Sequence, residues 1–157
     1  MSGTGAPRTP YAIDGHGVEV VVVAGTWHQA ITDGLIAGAQ RALDRAGASH
    51  RLVRVPGSFE LALAAQAAFA AGADAVVALG VIIRGGTPHF EYVSQATTDG
   101  LNRVALDAGK PVGFGVLTLD DELQGLARAG LAGSQEDKGA EAAEAALRMA
   151  AVLRELG

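Results

Sequence analysis

Four apolar runs separated by helix-like segments constrain the fold of this chain most strongly. Residues 18–24, 52–55, 75–83 and 111–117 are dominated by aliphatic side chains, and the first is an almost uninterrupted series of valines. Continuous apolar runs of this length are typical of parallel strands that are covered on both faces. Because helical patterns alternate with them, the sequence predicts a doubly wound α/β fold with right-handed crossovers. We expect a three-layer α/β/α sandwich around a parallel four-stranded sheet.

The segments between the runs have helical spacing, and four of them end in the same dipeptide. Residues 31–43 repeat apolar side chains at helical intervals, residues 60–71 are rich in alanine, and residues 134–156 predict a long closing helix. A glycine after the last helical residue favours the left-handed conformation that ends many helices. The four predicted helix ends are Ala46-Gly47, Ala71-Gly72, Ala108-Gly109 and Ala129-Gly130.

Length and composition favour one domain. A chain of 157 residues can bury a core without cysteines, and this chain has none. We predict an N-terminal arm over residues 1–17 and an α/β domain over residues 18–157. The start resembles no targeting peptide, and charges interrupt every apolar stretch before the roughly 18 residues of a membrane span. A cytoplasmic location is therefore expected.

The net charge and the share of charged residues indicate which kinds of partner the protein can bind. A net charge of −5 disfavours nucleic acid, which requires a basic face. Charged residues make up 18% of the chain, against about 25% in ordinary soluble domains. Burial between subunits explains this deficit, and a well-packed, alanine-rich monomer is the alternative.

The third apolar run ends in a segment that predicts an anion site. Gly85 and Gly86 are expected to adopt positive φ and to let the backbone approach a ligand closely. Backbone N–H groups and the Thr87 hydroxyl can then hold a phosphate where a helix begins, and Pro88 suits the first turn of that helix. His89 stands beside this site with a side chain suited to proton transfer. The alternative is an ordinary strand-to-helix turn with an incidental histidine.

Other strand ends also carry candidate ligand-binding residues, since ligands collect at the carboxyl ends of parallel strands. Trp27, the only tryptophan, can stack on a planar heterocycle or cap the rim of the core. Phe59 and Phe114 can likewise either contact a ligand or belong to the core. Ser58 and Glu60 stand at a predicted helix start, where an N-cap and a favourable helix-dipole contact are sufficient structural explanations.

The remaining polar residues predict few further sites. Arg128, predicted to lie on a helix, can bind a phosphate with its forked guanidinium or be a solvated surface charge. His16 and His50 are expected to be solvated, and His28 to cap a helix. The absence of cysteine and of paired histidines disfavours zinc. The chain also lacks a nucleophile elbow, a Walker motif and a dinucleotide fingerprint.

Together these residues resemble a known family. From residue 18 to 156 the chain is similar to 6,7-dimethyl-8-ribityllumazine synthases of the beta subunit type, and its first residues are similar to those of actinobacterial members. The motifs are WH at 27–28, PGSFEL at 56–61, LGVIIRGGTPHFEYV at 79–93, GFGVLT at 113–118, RAG at 128–130 and DKG at 137–139.

The resemblance implies a flavodoxin-like fold and a transferase of riboflavin biosynthesis. In its penultimate step, 5-amino-6-(D-ribitylamino)uracil condenses with L-3,4-dihydroxy-2-butanone 4-phosphate, and phosphate and water leave. No metal or cofactor is implied. The expected assembly is a homopentamer with active sites at subunit interfaces and a functional link to riboflavin synthase. Residues 130–139 form a longer loop than in shell-forming members, which predicts a free pentamer rather than a shell of sixty.

The resemblance also implies residue roles. Trp27 would stack on the pyrimidinedione ring, Gly86 and Thr87 would bind phosphate, and His89 would transfer protons. A neighbouring subunit would supply Phe114 and Arg128, with the arginine on the phosphate. Lys138 matches a further basic position. The remaining residues implied to contact the ring and ribityl chain are Ser58, Phe59, Glu60, Val81, Ile82 and Ile83.

Three departures from the family pattern, Ala62, Leu119 and Leu123, affect the pocket edge and helix packing rather than the reacting groups. The alternative function is a non-catalytic flavin- or pteridine-binding module, or a structural shell protein. Such a protein would need Trp27 and Phe59 but neither His89 nor Arg128.

Overall fold

The predicted parallel sheet is present in the computed structural model, which describes residues 4–7 and 12–157. Its strands run parallel in the order β2-β1-β3-β4, which is the flavodoxin-like order. The strands are β1 (Glu19–Ala24), β2 (Ser49–Arg54), β3 (Ala75–Ile83) and β4 (Val112–Leu119). The helices are α1 (Gln29–Ala46), α2 (Leu61–Ala70), α3 (His89–Ala108), α4 (Glu122–Leu126) and α5 (Lys138–Leu156), and a 3-10 turn (Ser58–Glu60) precedes α2.

Helices cover both faces of the sheet, as the valine run in β1 predicts. Alternate side chains of a strand point to opposite faces, so Val20 and Val22 join the core under α1 and α5. Val21 and Val23 join the second core, under α2 and α3. The three-layer α/β/α prediction is confirmed.

Glycines bring α5 close to its neighbours. A Cβ added at Gly139 would overlap the carbonyl oxygen of Leu35 in α1. A Cβ added at Gly113 in β4 would overlap the carbonyl oxygen of Ala142 in α5. The closing helix therefore contacts both α1 and the edge strand backbone to backbone.

The predicted helix ends are partly correct. Gly47, Gly72, Gly109 and Gly130 all have positive φ, at 77°, 105°, 63° and 65°. The first three follow α1, α2 and α3, but the prediction for Ala129-Gly130 is wrong. Helix α4 already ends at Leu126, and Ala129 forms an antiparallel bridge with Asp137.

The closing helix also begins later than predicted, at Lys138 rather than at residue 134. The reason is the N-cap. The Asp137 carboxylate accepts a hydrogen bond from the Ala140 N–H at 3.0 Å, which satisfies one of the free donors of the first turn.

Residues 1–3 and 8–11 of the predicted N-terminal arm lie outside the described residues. Ile13 packs against the core under α1 and α5, and the Gly15 N–H donates to the Ala46 carbonyl at 2.7 Å. The boundary at residue 17 stays a prediction. Within residues 4–7 and 12–157, none of the helices combines the length and the apolar character that a membrane crossing requires.

Candidate active site

The candidate site begins at an uncovered backbone edge of β3. The last pair of residues joining β1 to β3 is Ala24 with Leu79. In the described structure, residues 80–83 of β3 pair only with β4. Strand β3 therefore projects past β1 at the point where the strand order reverses, which is where open α/β sheets bind ligands.

Trp27 lies beside this edge, in the turn after β1. Its side chain is 67% exposed, so the alternative role as a cap on the core is not what the structure shows. The turn is well anchored: the Thr26 hydroxyl donates to the Pro56 carbonyl and the Thr32 hydroxyl to the Trp27 carbonyl, each at 2.7 Å. The indole is thus presented to solvent from a fixed backbone.

Residues 56–60 pack against the same turn. A Cβ added at Gly57 would lie 3.4 Å from Trp27 Cδ1 and 3.5 Å from Glu60 Oε2. The Phe59 ring is 65% exposed, and its core alternative is also not what the structure shows. An aromatic face, a carboxylate and a second aromatic side chain are therefore grouped at the ends of β1 and β2.

Ser58 is buried, and the suggestion that it caps a helix is wrong. Gly57 occupies the N-cap position of the 3-10 turn, without a side-chain hydrogen bond. The Ser58 hydroxyl instead packs against β3, where a Cβ at Gly80 would clash with it. The Thr97 hydroxyl donates to the Ser58 carbonyl at 3.2 Å. Gly80 was not predicted as a site residue, although an isolated glycine in a strand often marks such a close approach.

The three predicted residues at the end of β3 present backbone rather than side chains. Val81 and Ile82 are each only 7% exposed and belong to opposite cores. Ile83 is partly buried and packs beside Val81's core. The main-chain N–H and C=O groups of Val81 and Ile83 point to the uncovered edge and can bind a ligand, whereas those of Ile82 point to β4.

The loop after β3 differs from prediction in its backbone. Gly85 and Gly86 do not adopt positive φ. The chain passes into α3 through ordinary φ values, and Pro88 (φ −68°) takes the N-cap position immediately before the helix. Both glycines face open space, with no atom within 4 Å of an added Cβ. What these residues provide is therefore an uncovered backbone.

Thr87 and His89 are brought together as predicted. The Thr87 hydroxyl oxygen accepts from the His89 N–H at 3.4 Å. His89 is the first residue of α3 and is exposed, so its imidazole lies where this long helix presents free N–H groups. A hydroxyl, a helix N-terminus and an imidazole share one surface.

Sequence reasoning missed Arg84, which directly precedes the glycines. Its Nε lies 3.1 Å from Asp120 Oδ1, and its Nη1 lies 2.5 Å from Glu91 Oε1. Its guanidinium carbon lies 4.3 Å from the centroid of the Phe90 ring. Hydrogen bonds to Glu91 and then Asp120 raise the pKa of Arg84, and the bond from Arg84 lowers the pKa of Glu91.

Phe114 is not part of this cluster within one chain. It pairs with Ala78 near the start of β4, whereas the site lies at the other end of the sheet, where Ile83 pairs with Leu119. Five strand residues separate Phe114 from Leu119, which is about 16 Å. The Phe114 side chain is 46% exposed on an edge strand, so its core alternative is not observed.

Arg128 lies after α4 rather than on a helix, so that prediction is wrong. Its Nη1 donates to the Gln124 carbonyl at 2.9 Å, and its Nε lies 3.6 Å from Glu136 Oε2. Glu136 also approaches Lys138, whose Nζ lies 3.7 Å from Glu136 Oε1 and 2.7 Å from Glu141 Oε2. The carboxylate of Glu136, another residue that was not predicted, thus stands between two cations.

The other three histidines belong to other segments of the chain. His16 is exposed as predicted, and its Nδ1 lies 2.8 Å from Asp14 Oδ1. Hydrogen bonds from the His16 backbone and then its ring lower the pKa of Asp14. The prediction that His50 is solvated is wrong: it lies in β2, its side chain is 17% exposed and its Nε2 lies 2.6 Å from Asp44 Oδ1. His28 takes the N-cap position of α1 but makes no side-chain capping bond.

Comparison with known proteins decides the family. The family model for 6,7-dimethyl-8-ribityllumazine synthase matches residues 17–154. A protein of that name from Leifsonia xyli subsp. xyli is 72% identical over 156 residues, covering 99% of each chain. Proteins of the same name from Clavibacter michiganensis subsp. michiganensis and Nocardioides sp. are 66% and 63% identical, covering 99% and 100% of this chain and 98% of their own lengths.

The chain belongs to the 6,7-dimethyl-8-ribityllumazine synthase family. The resemblance drawn from the sequence motifs is confirmed, including the likeness to actinobacterial members. As a member of a synthase family, the protein is an enzyme.

The three departures from the lumazine synthase pattern lie outside the clustered residues. Leu119 is buried in β4, and Leu123 is 75% exposed on α4. Ala62 lies in the contact between α2 and α3, where a Cβ added at Gly100 would lie 2.8 Å from the Cβ of Ala62. A short side chain at position 62 fits this close helix contact.

Proposed function

We propose that the protein is a 6,7-dimethyl-8-ribityllumazine synthase. It would condense 5-amino-6-(D-ribitylamino)uracil with L-3,4-dihydroxy-2-butanone 4-phosphate, releasing phosphate and water, as a transferase in the penultimate step of riboflavin biosynthesis. The location would be cytoplasmic, and the product would pass to riboflavin synthase. Family membership over almost the whole chain supports this assignment.

The observation that carries the proposal is the uncovered edge of residues 80–83, with Trp27 on one side and Thr87 and His89 at its end. A pyrimidinedione ring has alternating N–H and C=O groups. It can therefore exchange hydrogen bonds with the N–H and C=O groups of an unpaired strand edge. The flat ring would stack on the exposed indole of Trp27. Main-chain groups at Val81 and Ile83, which lie on the edge away from β4, would hydrogen-bond to the ring, with Ile82 between them.

Residues 58–60 would hold the ribityl chain and the ring margin. The Glu60 carboxylate lies next to the Trp27 ring across Gly57, within reach of a ligand stacked there. Phe59 offers an exposed apolar surface, and the buried Ser58 fixes the turn against β3. This division of polar and apolar groups suits a polyhydroxylated chain attached to a flat ring.

The phosphate would bind at the N-terminus of α3. The open backbone of Gly85 and Gly86, the Thr87 hydroxyl and the first N–H groups of the helix form a surface suited to an anion. A phosphate bound there would place the butanone close to the His89 imidazole.

The chemistry needs mainly orientation and proton transfer. The ring amine attacks the ketone and water leaves, which gives an imine. Loss of the proton on carbon 3 and of the phosphate on carbon 4 then gives an enol, which tautomerises to a second carbonyl at carbon 3. The ribitylamino nitrogen attacks this carbonyl, and loss of a second water closes the new ring. Because both substrates bring their own reactivity, holding them together can supply several kcal/mol of barrier reduction. His89 would move the protons as acid and base. We propose no metal or cofactor for this reaction.

The site would be completed by a neighbouring subunit in a homopentamer. Phe114 lies at the far end of the sheet from the residues 80–83 edge within one chain, and Arg128 contacts Gln124 and Glu136 rather than the loop after β3. An adjacent chain would bring its Phe114 to the ring and its Arg128 to the phosphate, with its Lys138 nearby.

The deciding experiment mixes the purified protein with both substrates and follows lumazine absorbance and fluorescence beside an enzyme-free control. We expect rapid product formation that requires the phosphate substrate and is impaired in Arg128→Ala. A rate equal to the control, together with quenching of Trp27 fluorescence by riboflavin or lumazine, would instead identify a binding module.

His89→Ala separates catalysis from binding. We expect turnover to fall by about 100-fold, the usual contribution of a general acid–base residue, while the pyrimidinedione still quenches Trp27 fluorescence. His16→Ala is the matched control, since His16 is an exposed histidine paired with Asp14 away from the loop after β3. Equal turnover in the two variants would remove His89 from the mechanism.

A further inference from the structure

Arg84 joins three structural elements around the loop formed by residues 85–88, which we call the 85–88 loop. The residue itself follows β3. Its Nε contacts Asp120 after β4 at 3.1 Å, and its Nη1 contacts Glu91 in α3 at 2.5 Å. Its guanidinium lies over the Phe90 ring at 4.3 Å from the ring centroid. One side chain thus spans both ends of the loop and the neighbouring strand.

The 85–88 loop has little packing of its own. No atom lies within 4 Å of an added Cβ at Gly85 or Gly86. Backbone hydrogen bonds hold its ends: the Arg84 N–H donates to the Leu119 carbonyl at 2.8 Å, and the Glu91 N–H donates to the Pro88 carbonyl at 3.1 Å. A loop held in this way depends on what fixes its two ends.

We propose that Arg84 is a positioning residue that holds the 85–88 loop in the conformation that binds the phosphate of the substrate. This inference rests on the proposed function. It assigns to Arg84 no contact with the substrate. Arg84 acts through the two ion pairs and the ring contact, which keep the backbone N–H groups and the Thr87 hydroxyl in place before the anion arrives.

The charges around Arg84 argue against direct phosphate binding by its guanidinium. Nε and Nη1 are already directed at two carboxylates, so the local group of Arg84, Asp120 and Glu91 carries a net negative charge. Such a group repels a phosphate dianion. The two roles therefore predict opposite effects for the carboxylates. Neutralising Asp120 or Glu91 would strengthen phosphate binding if Arg84 bound the anion, and weakens it if Arg84 only positions the loop.

The kinetic test compares Arg84→Gln, Asp120→Asn and Glu91→Gln in the full-length protein. The matched control is Arg103→Gln, which removes another α3-associated ion pair, between Arg103 Nε and Asp107 Oδ2 at 3.4 Å. We expect each of the first three variants to raise KM for the butanone phosphate and the inhibition constant of inorganic phosphate by about tenfold, the worth of one charged hydrogen bond. KM for the pyrimidinedione should stay within about twofold.

The effects of Arg84→Gln and Asp120→Asn on phosphate binding should also be non-additive. Because Arg84 and Asp120 act through one contact, Arg84→Gln/Asp120→Asn should bind inorganic phosphate about as weakly as Arg84→Gln alone. The proposal would be overturned if Asp120→Asn and Glu91→Gln bound phosphate more tightly than the wild-type protein. It would also be overturned if the double variant lost as much phosphate-binding free energy as the two single variants lose together.

Hydrogen–deuterium exchange provides a readout that needs no turnover. In the free protein, Arg84→Gln and the two carboxylate variants should exchange the amides of residues 84 and 91, whose hydrogen bonds to the Leu119 and Pro88 carbonyls hold the ends of the loop, about tenfold faster than the wild type. Arg103→Gln should not. Unchanged exchange in Arg84→Gln, or faster exchange with unaltered phosphate inhibition, would overturn the positioning role. A wild-type protein that forms no lumazine would instead refute the proposed function, and the exchange data would still report on the loop.

Discussion

At the scale of single residues, His28, which follows Trp27 at the start of α1, has an unusual backbone conformation. His28 is the only non-glycine residue with positive φ among the described residues, at φ 55° and ψ 65°. This conformation costs an L-residue about 1–2 kcal/mol, and a β-branched side chain tolerates it worst. His28→Val should therefore lower the free energy of unfolding by about 1–2 kcal/mol, measured by urea denaturation at a fixed subunit concentration.

The matched substitution is His28→Asn, because asparagine tolerates the left-handed region. We expect its free energy of unfolding to stay within about 0.5 kcal/mol of the wild type. If the valine and asparagine variants unfold at the same urea concentration, the left-handed backbone of His28 does not contribute to stability as argued.

Residues at strand ends could be predicted from sequence because the apolar runs show where each strand stops. Trp27, Thr87 and His89 were located in this way. Contacts between side chains of separate elements could not be predicted, since pairing Arg84 with Asp120 requires the register of β3 and β4. Sequence also shows that position 86 is glycine without showing why, and the structure gives no steric reason within one chain, because φ is not positive and an added Cβ would enter open space.

At the scale of elements, the contact between α5 and α1 depends on Gly139. Alanine has a higher helix propensity than glycine by about 1 kcal/mol, which favours Gly139→Ala. Its Cβ, however, would overlap the backbone of Leu35, and a backbone contact cannot relax as a flexible side chain can. We expect the clash to outweigh the propensity and Gly139→Ala to lose about 1–3 kcal/mol of stability, measured by thermal and urea unfolding.

Gly86→Ala is the control for that substitution, because its Cβ would enter open space at an ordinary φ. Its stability should stay within about 0.5 kcal/mol of the wild type or rise slightly. A Gly139→Ala protein as stable as Gly86→Ala would show that α5 can shift away from α1 at no cost.

The strands were easier to predict than the start of the closing helix. Ser134 and Asp137 are both good N-cap residues, and sequence alone does not choose between them. In the structure the Ser134 hydroxyl instead donates to the Leu126 carbonyl at 2.5 Å and accepts from the Leu131 N–H at 2.9 Å. Helix α4, with five residues, is too short for its end to be found from hydrophobic periodicity.

At the scale of the whole molecule, the expected assembly is a free pentamer. Light scattering after gel filtration should give about 79 kDa for five chains of 15.8 kDa each. The basis is the length of residues 130–139, compared with shell-forming members. A mass near one million daltons would show that the loop does not prevent a shell of sixty chains.

A site shared between subunits can be tested by complementation, because two inactive variants with defects in different halves of the site can then form active sites together. If His89 comes from one chain and Arg128 from its neighbour, His89→Ala and Arg128→Ala chains refolded together in equal amounts should regain about one quarter of the wild-type activity, since one interface in four receives both intact halves. A site built within one chain would regain none. Wild-type protein refolded with equal amounts of the double variant provides the control: about one quarter of full activity is expected for a shared site, and about one half for a site within one chain.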